Sequence, residues 1–353
     1  MPNGLEAARK LKSRLAALTM NRLGLRYVST DELTIRRKRA GDSFTFVDAR
    51  GRTVRDELTR ARLKRLAVPP AYEDVLYAAD ARAHIQAIGR DAAGRLQYRY
   101  HADWEKVRER RNAKRLQRLV EAMPRIRRAL SRHLSAAEPT RELALAAVIE
   151  LIASSAIRPG NESYTKEHGT RGATTLLKSN VEVHGNRVVL KFKAKGGKRV
   201  EKDFHCPRAA VAINVLRALP GARLFQYPTE NGETRAVTSS EVNTFLREIA
   251  GVKISLKDFR TLSASAAALE ALAHVEPAAS ERGRRRQVKE AVTAVSEQLA
   301  NTPTICRKSY VHQTVVAAFE NGKLAKFSNM LKGRRSPAHR EQLLAQVVAS
   351  MAA

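Results

Sequence analysis

Tyr310 closes the run Leu299-Ala-Asn-Thr-Pro-Thr-Ile-Cys-Arg-Lys-Ser-Tyr310, and three basic residues in distinctive settings precede it. Arg158 lies in Ala156-Ile-Arg-Pro-Gly-Asn-Glu-Ser-Tyr164. Lys195 lies in Lys191-Phe-Lys-Ala-Lys-Gly-Gly-Lys198, and Arg260 in Leu256-Lys-Asp-Phe-Arg-Thr261. A phenol that attacks a phosphodiester needs cations around the pentavalent phosphorus and an acid for the leaving oxygen. The chain carries such parts in order. An arginine that follows an apolar helix and precedes Pro-Gly can be held with its fork facing a phosphate. A lysine at the mouth of a hairpin can reach a leaving oxygen, and neighbouring arginines would lower its pKa toward proton donation. Lys257-x-x-Arg260 opens a helix, whose first amides add donors for an anion. The Asn301 amide could donate to a non-bridging oxygen, and the Tyr164 hydroxyl to an adjacent phosphate.

Each residue also has an ordinary reading. Arg158 could cap or ion-pair, and a basic hairpin can bind phosphate without catalysing anything. Asn301 could be the C′ residue of one helix, with a threonine capping the next. One tyrosine among eight means little alone. Composition narrows the choice. Against 35 Asp and Glu stand 65 Lys and Arg, a net charge of +30 over 353 residues. Such an excess predicts a polyanionic partner, with nucleic acid ahead of a membrane because no run of about 18 apolar residues exists. The first residues lack the apolar core of a signal peptide. Cys206 and Cys306 cannot form a disulfide framework or a Cys-rich zinc site, so a reducing cytoplasm fits. No Gly-x-x-x-x-Gly-Lys loop and no carboxylate cluster with convincing metal spacing occurs.

The elements that must position these residues divide into two parts. Residues 1–24 read as a basic tail or helix. Residues 25–100 read as a small, antiparallel, β-rich domain. Within it, Phe44–Val54 is expected to form two short strands about a Gly turn, and Ala67–Tyr72, with its consecutive prolines, an extended or turning segment. A hairpin is expected over residues 84–100, turning at Asp91 to Gly94. Residues 101–106 are expected to be a hinge. A helical domain spans 107–328, and a tail with a short helix spans 329–353. Helical spacing runs from Trp104 to His133, and Pro124 is expected to break that helix. Glu142 to Ile157 reads as an apolar core helix. Strands are expected at 181–192 and 199–204, then helices at about 207–218, 239–250, 259–274, 283–300 and 306–320. The fold class is α+β.

Taken together, Arg158 with Gly160 and Tyr164, the Lys195 hairpin, Lys257-x-x-Arg260 and Asn301-Thr-Pro…Tyr310 resemble the type IB DNA topoisomerases in their compact poxviral and bacterial form. The resemblance covers roughly residues 25–327. It includes Gly94-Arg-Leu-Gln-Tyr-Arg-Tyr100, similar to the family's N-terminal base-contacting segment. It implies a helical catalytic domain of the tyrosine recombinase and topoisomerase IB type, with a small β-hairpin sheet, and a DNA-clamping N-terminal domain.

By the resemblance, Tyr310 would attack a phosphodiester of double-stranded DNA and form a 3′-phosphotyrosyl bond. Arg158 and Arg260 would hold the non-bridging oxygens, and Lys195 would protonate the 5′ oxygen. Asn301 stands where many members carry histidine, keeping the hydrogen bond without the imidazolium charge. Tyr98, Arg99, Tyr100, Tyr164 and Lys257 would contact DNA. Strand rotation and religation would follow without ATP or metal, in a monomer of the bacterial nucleoid. A tyrosine recombinase would show His-x-x-Arg in place of Lys257-x-x-Arg260, and a helical N-terminal domain. A non-catalytic architectural DNA-binding protein is the reading that charge alone would allow.

Overall fold

The computed structural model describes residues 20–331 and 336–351, so the basic segment 1–19 and residues 332–335 and 352–353 lie outside the described residues. The chain divides into two compact units, residues 1–111 and 112–353.

The first unit is built on a five-stranded antiparallel sheet in the order β2-β1-β3-β4-β5. Its strands are β1 (Ile35–Ala40), β2 (Ser43–Val47), β3 (Glu73–Tyr77), β4 (Ile85–Arg90) and β5 (Leu96–Tyr100). Here the expected hairpin over 44–54 is corrected. β2 pairs with β1 from Arg36↔Val47 to Ala40↔Ser43, while Thr53 makes only an isolated bridge to Val47. The basic run of β1 hid it, because only Ile35 of the strand is buried. Asp48 instead closes a turn, accepting from the amides of Arg50 and Arg52 at 2.9 Å each.

A helix also sits in this unit: α1 (Glu57–Arg65), N-capped by Asp56, which accepts from the Thr59 amide at 2.7 Å. It buries Leu63 against Ile35, Phe46, Val75, Tyr77 and Ala87. The loop through Pro69 and Pro70 is pinned by Arg37, which donates to the carbonyls of Val68 and Pro69 at 3.1 Å, to Pro70 at 3.3 Å and to Tyr72. The β4–β5 hairpin turns where expected. Asp91 Oδ1 accepts from Ala93 and Arg95 amides at 3.0 Å, and Gly94 takes φ 71°. Hydrogen bonding to Arg95 draws the Asp91 carboxyl down to about 2.

Helix α2 (Trp104–Leu134) runs unbroken through Pro124, contrary to the expected break. One backbone hydrogen bond is forfeited there. The buried row Leu116, Leu119, Val120, Met123, Ile126, Leu130 and Leu134 holds both halves in one core. Helix α3 (Arg141–Ser155) is capped by Thr140 and buried without interruption from Leu143 to Ile152, the mark of a central helix, and the one charge in that run, Glu150, pairs with Arg208 at 2.9 Å.

Around α3 lie α4 (Glu162–His168), a three-stranded sheet β6 (Val181–His184), β7 (Arg187–Lys193) and β8 (Arg199–His205), then α5 (Pro207–Arg217) and a small hairpin β9 (Gln226–Pro228) with β10 (Thr234–Ala236). Next come α6 (Ser239–Ala250), α7 (Leu256–Ala273), α8 (Glu281–Gln298), α9 (Pro303–Ser309), α10 (Gln313–Glu320) and α11 (Ala325–Leu331). The last helix, α12 (Pro337–Ser350), buries Leu343, Leu344, Val347 and Val348 in the same core. Two ion pairs bind it there, Arg127–Glu341 at 2.6 Å and Arg340–Glu270 at 3.2 Å.

Candidate active site

Helix α3 ends at Ala156 in the left-handed conformation, φ 54°, with its amide bonded to Ile152 O at 2.9 Å. Arg158 follows two residues later and is half-buried. Its loop is latched to the segment 172–175. Arg158 O accepts from the Ala173 amide, and Pro159 O from the Thr174 amide, both at 2.8 Å. The two chains touch backbone to backbone. A Cβ built on Gly172 would lie 2.5 Å from Gly160 N and 2.6 Å from Arg158 O. Neither atom can yield without moving Arg158. We expect Gly172→Ala to destabilise the protein by about 1–3 kcal/mol and to slow DNA cleavage as well. Thermal unfolding beside a single-turnover cleavage assay checks both.

Helix α7 is aimed by its first turn. The Ser255 amide and hydroxyl both donate to Asp258 Oδ2, at 2.7 and 3.1 Å, and Arg115 Nε donates to the same oxygen at 2.9 Å. Arg260 is thereby carried inward and is 1% exposed. Its Nη1 donates to Ala156 O and its Nη2 to Leu299 O at 3.1 Å, while Nε is buried with no partner in the protein. Its guanidinium lies 4.8 Å from the Tyr310 ring centre; the exposed Lys257 ammonium lies 5.8 Å away.

The end of α8 supplies the third part. The Ala300 amide bonds to Glu297 O at 3.0 Å and the Asn301 amide to Ser296 O at 2.9 Å. This is a Schellman closure in which Ala300, at φ 50°, occupies C′, so Asn301 is the C″ residue rather than C′. Arg158 Nη2 donates to Asn301 Oδ1, and Asn301 Nδ2 is buried without a partner in the protein.

The helix expected over 306–320 is two helices, and Tyr310 sits in the break with φ −131° and ψ −40°. His312 restarts the chain as the cap of α10, accepting from the Thr314 amide at 3.2 Å. Burial drives its imidazole down to about 4, so it is neutral near pH 7. Ser265, fully buried on α7, holds the break. Its hydroxyl donates to Tyr310 O at 3.1 Å and accepts from the His312 amide at 3.0 Å. Sequence reasoning passed over Ser265. Its signal was a polar residue five positions after Arg260 in an otherwise alanine-rich row. We expect Ser265→Ala to cut the cleavage rate about tenfold at unchanged DNA affinity, because Tyr310 loses its backbone anchor. Equal rates in the two proteins would refute the anchoring role.

Electrostatics favour a reactive phenol. Burial pushes the Tyr310 hydroxyl up, but the charge of Arg260, and then those of Arg158 and Lys257, bring it below the usual tyrosine value. Cys306, fully buried four residues earlier, is pushed by burial to about 11 and stays a thiol.

Lys195 is the remaining basic residue of the set. It occupies the mouth of the β7–β8 hairpin, where Gly196 and Gly197 take φ 79° and 76°. It is exposed, with Nζ 4.5 Å from the ring centre of the half-buried Tyr164 on α4. The structure thus brings Arg158, Arg260, Asn301 and Tyr310 together, with Lys257 at the rim, and pairs Lys195 with Tyr164. In the first unit, Tyr98 and Tyr100 share one face of β5, their rings stacked at 5.9 Å and each residue 41% exposed. Arg99 alternates to the other face and donates to Ala67 O at 3.1 Å. Cross-strand packing and exposure coexist here: Tyr100 also stacks on the buried Trp104 at 6.0 Å.

Among the described residues no helix is long and apolar enough to cross a membrane. Residues 98–335 match the family model of the eukaryotic DNA topoisomerase I catalytic core. Residues 43–91 match that of the bacterial DNA topoisomerase IB N-terminal domain. The chain is also similar to the DNA topoisomerase 1B of Acanthamoeba polyphaga mimivirus, with 27% identity over 298 residues, covering 81% of this chain and 88% of the viral one. An α+β chain with this site and both of these matches is a DNA topoisomerase, an isomerase. It belongs to the type IB family.

Proposed function

We propose that this topoisomerase relaxes supercoiled double-stranded DNA through Tyr310. The phenolic oxygen attacks a backbone phosphorus, a Tyr310 O–P bond forms at the 3′ phosphate, and the bond from phosphorus to the 5′ oxygen breaks. The phenol gives up its proton, and the departing 5′ oxygen gains one from Lys195. Arg158, Arg260 and Asn301 hold the non-bridging oxygens as charge builds. The strand end rotates, and the 5′ hydroxyl then attacks the phosphotyrosine and restores the backbone. One phosphoester replaces another, so the reaction consumes no ATP.

The observation that carries this reading is the pair of buried, unpartnered donors, Arg260 Nε and Asn301 Nδ2, beside a phenol whose pKa is lowered by cations. Donors left unpaired in a protein interior are costly unless an acceptor arrives. A phosphodiester brings two. In this scheme Lys195 must leave the Tyr164 ring, and its place on a two-glycine turn gives it the freedom to do so. Lys257, Tyr164, Tyr98, Arg99 and Tyr100 serve as DNA contacts.

Purified protein should relax supercoiled plasmid in EDTA without ATP. No relaxation at low salt would overturn the proposal. DNA affinity should fall steeply with salt, because phosphate contacts release counterions, and a salt-independent affinity would contradict a phosphate-dominated interface.

A further inference from the structure

Strand β8 places Lys202 where a hydrophobic residue belongs. Its neighbours on the same face are the buried Val200 and the partly buried Phe204. Across the sheet, Val188, Leu190 and Phe192 pair with Phe204, Lys202 and Val200 in turn, and Leu190 is fully buried. An ammonium in such a row loses hydration and needs a compensating partner. Burial, reinforced by the charge of Arg260, pulls the Lys202 pKa below the ordinary lysine value.

The partner is the carbonyl of Gln298, the last residue of α8. The carbonyl of the next residue, Leu299, accepts from Arg260 Nη2, and the Asn301 side chain accepts from Arg158 Nη2. The final carbonyls of a helix have no partners within it. Here three cations from three separate elements hold one helix end.

We propose that Lys202 is a positioning residue for the cleavage reaction, tying the C-terminal turn of α8, and through it Asn301, to the β7–β8 sheet. The proposal rests on the reading of Arg158, Arg260, Asn301 and Tyr310 as the catalytic centre. The same sheet carries Lys195 at its mouth. Lys202 therefore fixes the register between the hairpin that delivers the acid and the turn that steadies the phosphate. Its own ammonium is committed to Gln298 and touches no DNA.

The test is a double-mutant cycle read by single-turnover cleavage of a DNA duplex, with DNA affinity measured in parallel. Lys202→Met keeps the aliphatic stem and removes the donor. It should slow cleavage about tenfold at wild-type affinity and wild-type salt dependence, and Lys202→Arg should recover most of the rate. In an Asn301→Ala background, Lys202→Met should add less than about twofold, because both act through one turn.

Three results would overturn the proposal: wild-type cleavage by Lys202→Met, a full multiplicative loss in the Asn301→Ala background, or a loss confined to affinity. If Lys202→Met does not fold, Lys202→Leu, which also lacks a donor, enters the same cycle with the same deciding outcomes. Failure of the underlying reading looks different, since it is an adduct formed by Tyr310→Phe.

Discussion

Tyr310→Phe should bind DNA as tightly as the wild type and form no covalent adduct, with a loss of cleavage of at least about four orders of magnitude. The change deletes one oxygen. The ring that lies 4.8 Å from the Arg260 guanidinium remains, as do the Ser265 contacts, which reach the backbone rather than the hydroxyl. Fold and DNA contacts should therefore survive. No neighbour can take over the attack. The Ser265 hydroxyl is fully buried and committed on both sides, and Cys306 is a fully buried thiol held protonated by its surroundings. Denaturant-trapped adduct on labelled duplex, together with binding by the same variant, makes the measurement. A trapped adduct at normal yield would remove Tyr310 as nucleophile.

How much of this was legible in the sequence depends on the range of the signal. Local chemistry carried well. The Asp91–Gly94 turn, the apolar helix α3 and the paired glycines at Lys195 each declare themselves within a few residues. What failed was tertiary. β1 is basic at nearly every outward position, so its strand character shows only when β2 and β3 pair with it. Pro124 breaks helices in isolation, but a long buried row on either side outweighs one lost hydrogen bond.

The site divides the same way. Residue types and order pointed to Arg158, Arg260, Asn301 and Tyr310, and the structure places them together. Their supports were invisible locally. Nothing before Tyr310 announces the break in the helix, since the serine that stabilises it lies 45 positions earlier. Ala156 and Ala300 both adopt left-handed backbone, where a sequence reader expects glycine. The carbonyls of Ala156 and of Leu299, the residue before Ala300, are the acceptors of Arg260, so the strained ends set the shape of its pocket. Lys202 was legible in principle, as a lysine on the inward beat of Val200-x-Lys202-x-Phe204, but a basic hairpin makes one more lysine easy to pass over.

Replacing Arg260 should show what that pocket is for. Arg260→Ala should lower the cleavage rate by at least about three orders of magnitude, because a charged donor is lost from the developing transition state. It should also change the pH dependence. Arg260 is the chief influence holding the Tyr310 hydroxyl below its usual pKa, against the upward push of burial. Without it the phenol titrates higher, the phenolate fraction at a given pH falls, and the alkaline rise in cleavage rate moves to higher pH. Stability should drop by about 1–3 kcal/mol, since two buried carbonyls lose their donor. Arg260→Lys separates charge from geometry. Lysine keeps a positive charge near Tyr310 and so preserves much of the pH profile. It cannot reach Ala156 O and Leu299 O while offering a further donor to the phosphate, because only the guanidinium fork spans all three directions. Its rate should stay at least about a hundredfold below wild type. Single-turnover cleavage from neutral to alkaline pH decides the matter. A lysine variant within a few-fold of wild type would mean that charge alone suffices and that the fork, held between Ala156 and Leu299, has no part in catalysis.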